Sequence, residues 1–458
     1  MPSFDLLIIG GGPAGHVAAK EAVAGGLSVA LAERHLLGGT CLNVGCIPTK
    51  VLLGATSAAA ELKAQQKRKL CSGEISFDLK ALMQRKDRLV AGSRQAVEKE
   101  LTALGVTLFK GEATFTGPTA AVVRTAEDET PLAFRHAILA TGTRPAVFPG
   151  LAADGVRVLD SDALLSLQHI PQSILILGGG AIGLELGEWL SRLGTTIILV
   201  EAADRLAPLE DPEISAQLKT ALAREGWKIH LGKKAISLQT VGDAARCQLE
   251  DGSVLEAQLA LTALGRRPNT DGLGLEAAGM STDARGFIQI DDHLRAAPTV
   301  HAVGDVNGRA LWAHAAMHQA RHAVRAMVTS QDKPYPFPSM PGCIYGTHEV
   351  MRVGKTSRQL ASSGREVFVS RAPLAANPLA QAHGASAGLI QCVWDGEHLA
   401  GVTAMGWNVS HLVTLAQALV DRHARRNDFE SLIFAHPTLD ESLEAALLHA
   451  PLERFGEA

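Results

Sequence analysis

Cys41 and Cys46 stand five positions apart in GGTCLNVGCIPTK, residues 38–50. Two nearby thiols can close to a disulfide and reopen, and so carry an electron pair. In a regular helix a five-residue step turns about 500° and rises about 7.5 Å. Side chains so placed point apart, beyond easy disulfide reach. The segment is therefore expected to be a distorted helix start, with Gly45 before the second cysteine and Pro48 after it accommodating the distortion. Irregular backbone suits a strained, reducible disulfide better than an inert staple. A helix N-terminus also lowers a thiol's pKa. On spacing alone two rivals stay open: half of a zinc site, which lacks a second Cys-x-x-Cys or His-x-His, and two free thiols. Cys71, Cys247, Cys343 and Cys392 are scattered and read as buried, inert thiols.

The elements that must position such a pair show as an internal duplication. Residues 4–33 read FDLLIIGGGPAGHVAAKEAVAGGLSVALAE, and residues 173–201 read SILILGGGAIGLELGEWLSRLGTTIILVE. Each is an apolar β run, a glycine cluster, an amphipathic helix, a second β run and a glutamate. Gly10, Gly12 and Gly15 fit G-x-G-x-x-G, as do Gly178, Gly180 and Gly183. Glu33 and Glu201 follow at the same distance from the first glycine. One such motif is weak; two with matching flanks are strong. The first glycine permits a tight turn, the second lets backbone approach a pyrophosphate, and the third lets helix pack on strand. The pyrophosphate then meets unpaired N–H groups at a helix N-terminus, and the glutamate accepts from a ribose hydroxyl. Two units imply two dinucleotides. Glu201, followed by Ala202 and Ala203, would repel a 2′-phosphate, which favours NAD over NADP; nearby Arg205 counts the other way.

A chain of 458 residues suggests about three domains. Its 47% hydrophobic and 20% charged content describe a soluble globular protein. A net charge of −4 offers no strong basic field for nucleic acid or an anionic membrane, although 17 histidines could move that balance at mildly acid pH. No long apolar run and no basic, cleavable N-terminus appear, so the expectation is a cytoplasmic protein with no membrane partner. Residues 57–105 read as helices with solvated faces, their charges too mixed for a nucleic-acid surface. Strand-like runs return at 246–263, a turn-rich GRRPNTDGLG follows at 265–274, and VHAVGDVNG at 300–308 is a further strand. Past about 336 the texture changes to strands near 343–370 and 387–404 and a helix near 409–424. The expected fold class is α/β: two Rossmann-like, three-layer β/β/α dinucleotide-binding domains plus a C-terminal α+β interface domain.

GGTCLNVGCIPTK, following GGGPAG, resembles the flavoprotein disulfide reductases, the class I pyridine nucleotide-disulfide oxidoreductases. Within that family the dihydrolipoamide dehydrogenases are most similar, and the resemblance covers essentially the whole chain. It implies FAD in a domain of residues 1–148 and 275–335, NAD at 149–274, and a dimerisation domain at 336–458. By the same resemblance Cys41 is the interchange thiol that meets substrate, and Cys46 lies against the flavin as the charge-transfer thiolate. Lys50, by default a surface lysine, is implied near the flavin ring, and Glu185 near it and the nicotinamide. Glu33 matches the residue on the FAD ribose, and Ala113 in KGEATF a backbone contact to FAD. Thr141 and Gly142 in LATGTRP match the return strand under FAD, and Gly265 in LGRRPN a turn that approaches NAD. Asp305 in VGDVNG matches the aspartate on the flavin ribityl chain, with Ala313 in WAH a nearby contact.

FAHPTLDE at 434–441 matches the family's acid–base pattern through His436 and Glu441. A His-Pro in a loop would otherwise read as structural. Dithiol oxidation must lose a proton and the reverse must return one. Histidine titrates in that range, and a carboxylate fixes its tautomer and stabilises its cation. The resemblance places this dyad against the other subunit's Cys41, which implies a homodimer. Three positions depart from the pattern: Phe434 stands for a histidine, His348 in YGTHE for a proline, and GLIQCVW at 388–394 lacks the usual lysine. These lie in the interface domain, which shapes substrate access. The implied activity is NAD-linked oxidation of protein-bound dihydrolipoamide, with no metal. The alternatives are a small disulfide of the glutathione kind, normally with NADPH; mercuric ion, although LLHAPLERFGEA holds no added cysteine pair; and a non-catalytic flavoprotein subunit of a larger complex.

Overall fold

A computed structural model describes residues 1–125, 127–329 and 331–456; the last two positions of the expected 336–458 domain lie outside them. The chain folds into two compact units. The first comprises 1–51, 83–146 and 265–336. Its apolar β runs pair in parallel, Ser3–Ile9 between Val29–Glu33 and Glu129–Leu139, with Thr107–Lys110 and Val300–Ala302 outside them. These strands are buried on both faces, which is why they read as continuous apolar runs. Helices Pro13–Ala24 and Ala313–Thr329 cover one face through Ala14, Ala18, Ala22 and Ala320. The antiparallel pair Glu112–Gly117 and Ala120–Arg124 covers the other through Phe115, Ala121 and Val123. That is the three-layer arrangement expected from sequence.

The second unit comprises 52–82, 147–264 and 337–458. A five-stranded parallel sheet runs in the order Lys228–Leu231, Thr196–Glu201, Ser173–Leu177, Leu259–Thr262, Val158–Asp160. Helix Ala181–Arg192 follows its glycine turn, and a three-stranded antiparallel sheet spans 235–257. A six-stranded antiparallel sheet includes Glu349–Gly354, His398–Gly406, Gly388–Asp395 and Val367–Pro373, around a core of Trp394, Leu399 and Phe429. Buried polar ties join these parts. Asp211 accepts from the Ser357 amide at 2.9 Å and its hydroxyl at 2.6 Å, and Arg352 meets Glu210 at 3.1 Å.

Of the four scattered cysteines, Cys247 and Cys392 are buried as expected, whereas Cys71 is exposed and Cys343 half-buried. Among the described residues no helix is long and apolar enough to cross a membrane, and no cluster of His, Cys, Asp or Glu could hold a metal ion.

His301 is buried on Val300–Ala302, with neither ring nitrogen hydrogen-bonded among the described residues. Burial first, then the charges of Arg295 and His136, lower its pKa from 6.5 to about 4. Above pH 6.5 both folded and unfolded chains keep this ring neutral. Between 6.5 and about 4 the unfolded chain binds the extra proton, so stability falls as pH falls. The loss across that window is about 3 kcal/mol. His301→Leu is expected to flatten the dependence of melting temperature on pH between 7 and 5. Parallel curves for variant and wild type would refute this account.

Candidate functional site

The two glycine turns are superposable in their constraints. Gly10 has φ +105°, and a Cβ there would lie 2.4 Å from the Ala140 carbonyl oxygen. Gly178 has φ +109°, and its Cβ would lie 2.4 Å from the Ala263 oxygen. Gly15 and Gly183 pack on the carbonyls of Gly10 and Gly178, where a Cβ would come within 1.9 and 2.1 Å. Gly12 and Gly180 differ. Each caps a helix N-terminus. A Cβ on Gly12 would meet nothing nearer than 3.9 Å, and one on Gly180 nothing within 4 Å. The first and third glycines therefore serve backbone packing, while the second opens space beside unpaired N–H groups that favour phosphate.

The carboxylate of Glu33 accepts from the Gly11 and His35 amides, both at 2.7 Å. Glu201 does the same with Gly179 and Ala203, also at 2.7 Å. Each glutamate thus fastens its own glycine turn and keeps lone pairs for a ribose hydroxyl. Around Glu33 a groove of about 420 Å³, part of it open to solvent, is lined by Gly10, Ala113, Thr141 and Asn269. Asn269 had no assigned part in the sequence. Its side-chain amide donates to the Thr141 carbonyl at 2.9 Å, its carbonyl accepts from the Thr141 hydroxyl at 2.7 Å, and its backbone amide donates to the Gly142 carbonyl at 3.0 Å. The signal lay in LGRRPN, read only for Gly265. Gly265 itself has φ +116°. Asp305 lies in the turn Gly304–Asn307, and its Oδ2 accepts from the Thr143 hydroxyl at 2.8 Å. Burial raises its pKa; the Thr143 bond and the Arg266 charge act against that. Ala313 opens helix Ala313–Thr329.

The distorted helix start is a pair of helices. Gly39–Val44 carries Cys41, and Cys46–Ala55 begins at the second cysteine. Between them Gly45 takes φ −139°, ψ −114°, and a Cβ there would lie 2.9 Å from the Thr40 carbonyl oxygen. One break replaces the regular swing that would part the side chains. The cysteines are thiols here, and they share a hydrogen bond. That bond first, and burial second, push the Cys41 pKa far up, while the Lys50 charge pulls it down. Cys41 is the half-buried member; Cys46 is exposed.

In the second unit the buried Glu185 accepts from the Tyr345 amide at 3.1 Å. Burial raises the Tyr345 hydroxyl to about 12. His436 Nδ1 meets Glu441 Oε1 at 2.9 Å, and the Thr438 amide donates to Oε2 at 2.8 Å. The His436 bond, then the Thr438 amide, hold the Glu441 carboxyl below the usual range. Asn377, missed in the sequence, donates to the Thr438 carbonyl at 2.9 Å. The His436 side chain is 71% exposed. With Nδ1–H on the carboxylate, Nε2 is left as a base. Cys41 and His436 belong to different units.

One of the three departures is internally paired: His348 Nε2 meets Glu225 Oε1 at 2.8 Å. In the stretch 388–394 Gln391 is fully buried, its oxygen accepting from Arg371 at 3.0 Å while its Nε2 has no hydrogen-bond partner among the described residues. Phe434 alone sits in an exposed stretch, beside Ile433 at 97% exposure.

Residues 4–324 match the family described as pyridine nucleotide-disulphide oxidoreductase, and residues 340–447 match the dimerisation domain of the same description. The dihydrolipoyl dehydrogenase of Chlorobaculum parvum is 34% identical over 98% of this chain and 97% of its own length. Dihydrolipoyl dehydrogenase 1, mitochondrial, of Arabidopsis thaliana is 35% identical over 97% of this chain and 90% of its own. Among solved structures, the HOCl-induced flavoprotein disulfide reductase RclA from Escherichia coli is similar with a TM-score of 0.86 at 27% identity, covering 97% of this chain and 99% of that one.

Proposed function

Because the chain belongs to the pyridine nucleotide-disulphide oxidoreductase family, we propose that it oxidises protein-bound dihydrolipoamide to lipoamide with NAD as acceptor. It is an oxidoreductase with FAD and NAD(H) as cofactors. Bound FAD supplies a two-electron relay between the dithiol and NAD. The rest falls to side chains. In the oxidised enzyme one substrate thiolate attacks Cys41 and breaks the Cys41–Cys46 bond, and Cys46 leaves as thiolate. The second substrate thiolate then closes the lipoyl disulfide and releases Cys41. The substrate dithiol and NAD become disulfide, NADH and one proton. His436 accepts that proton at Nε2, with Glu441 stabilising the cation. Lys50 favours negative sulfur near it. The family resemblance, with His436 open to solvent, assigns the dyad to the partner subunit's thiols in a homodimer.

The observation that carries this reading is the break at Gly45 between the helix that carries Cys41 and the helix that begins at Cys46. NAD is favoured because the Glu201 carboxylate stands at the ribose end. Arg205 is engaged with Asp204 at 3.4 Å and the Pro208 carbonyl at 3.4 Å.

The test is steady-state turnover with dihydrolipoamide, glutathione disulfide and mercuric ion, each with NAD(H) and NADP(H). Dihydrolipoamide with NAD is expected to lead by about a hundredfold or more. Turnover of another substrate with none of the lipoyl pair would overturn the assignment. The glycines separate the two nucleotide sites. Gly10→Ala is expected to purify without its yellow cofactor. Gly178→Ala should keep that colour and raise the KM for NAD by about tenfold or more. Colour in both, with unchanged KM, would contradict the division.

A further inference from the structure

Helix Cys46–Ala55 must end somewhere, and its last carbonyls need partners. Leu52 and Gly54 find theirs nearby: the Thr56 amide at 3.2 Å and hydroxyl at 2.9 Å, and the Ser57 hydroxyl at 3.0 Å. Leu53 takes the Thr56 hydroxyl on its carbonyl at 3.3 Å and is held more closely from far along the chain. Arg192, the last residue of helix Ala181–Arg192, donates to its carbonyl at 2.7 Å. The same guanidinium donates from Nε to Glu188 at 3.1 Å and to the Thr347 hydroxyl at 3.2 Å. Glu188 accepts in turn from the Thr347 amide at 3.1 Å and from its hydroxyl. Glu188 and the Arg192 side chain are almost fully buried. Gly346 completes the fit, since a Cβ there would lie 3.1 Å from Glu188 Cγ. One turn earlier on the same helix, Glu185 holds the Tyr345 amide.

We propose that Arg192 is a positioning residue for the thiol chemistry: it fixes the C-terminal end of the helix that begins at Cys46 to the helix that carries Glu185, with Glu188 and Thr347 orienting its fork. The role rests on the reading of Cys46 and Glu185 given above. A cation at a helix C-terminus completes the helix dipole. A fixed helix keeps its first-turn N–H groups on Cys46, which favours the thiolate and so the dithiol state. The three bonds leave in different directions, which a planar fork satisfies and an ammonium does not.

The experiment uses the FAD-loaded enzyme equilibrated in dithiothreitol redox buffers, with the thiols counted by alkylation. Wild type is expected to show one reversible two-thiol transition; its absence would overturn the functional reading itself. Arg192→Lys keeps the charge and loses the fork. It is expected to shift the exchange constant about tenfold toward the disulfide, which for a two-electron couple is about 30 mV. Its kcat should fall by about tenfold or more, with the KM for NAD unchanged. Thr347→Val, which removes only a hydroxyl, should move both readouts the same way by less, and it decides the question if Arg192→Lys does not fold. Variants that lower the melting temperature but leave exchange constant and kcat at wild-type values would overturn the proposal and leave Arg192 a purely structural residue.

Discussion

Cys46→Ser is expected to lose dithiol turnover by about a thousandfold or more while the protein keeps its FAD. A hydroxyl cannot close the disulfide, and its oxygen is not an anion at neutral pH. Cys46 is exposed at the first position of its helix, so removing its sulfur opens no core cavity. Stability should stay within about 0.5 kcal/mol of wild type. Cys41→Ser is expected to lose turnover to a similar degree. The two variants should part in the visible spectrum. Cys41→Ser, which has no disulfide to reduce, should show a long-wavelength band of the Cys46 thiolate with oxidised flavin before reductant is added, and lose it as two electrons reduce the flavin. Cys46→Ser should show no such band at any stage. Dithionite titration of both checks this, and a band retained by Cys46→Ser would overturn the division of labour between the thiols.

His436→Gln is expected to lower kcat by about a hundredfold to ten-thousandfold, the range for a missing acid–base group. The KM for NAD should hold, because the nucleotide turn lies elsewhere. Glu441→Gln should cost less. The wild-type carboxyl, held below its usual range by His436 and the Thr438 amide, is anionic throughout neutral pH and favours the imidazolium. Without that anion the imidazolium formed during turnover loses its stabilising charge, so kcat should fall by about tenfold or more. A Glu441→Gln variant with wild-type kcat would show that the carboxylate orients the ring without stabilising its charge.

Phe434 is the remaining departure with a bearing on substrate. His348 is spent on Glu225 inside its own unit, so that departure is absorbed by local pairing.

The sequence by itself determined the parts whose causes are local. A glycine turn with positive φ, the helix after it and the acid that closes it are set by neighbours within one β-α-β unit. Both turns therefore showed in the spacing of Gly10 and Gly178 with Glu33 and Glu201. His436 and Glu441 are joined by one short turn, but only the resemblance to a known family pointed to them, since a His-Pro in a loop reads by itself as structural. The thiol pair was half legible. Its spacing demanded an interruption, but the form of it, two helices broken at Gly45 by the Thr40 carbonyl, needed the folded backbone.

Tertiary structure alone decided the long-range partners. Glu185 meets an amide 160 residues away, Arg192 a carbonyl 139 residues away, and Asn269 a threonine 128 residues away. Periodicity and turn chemistry carry no record of such pairs. They arise because strand order brings distant segments side by side, and buried polar groups must then find partners wherever the fold has put them.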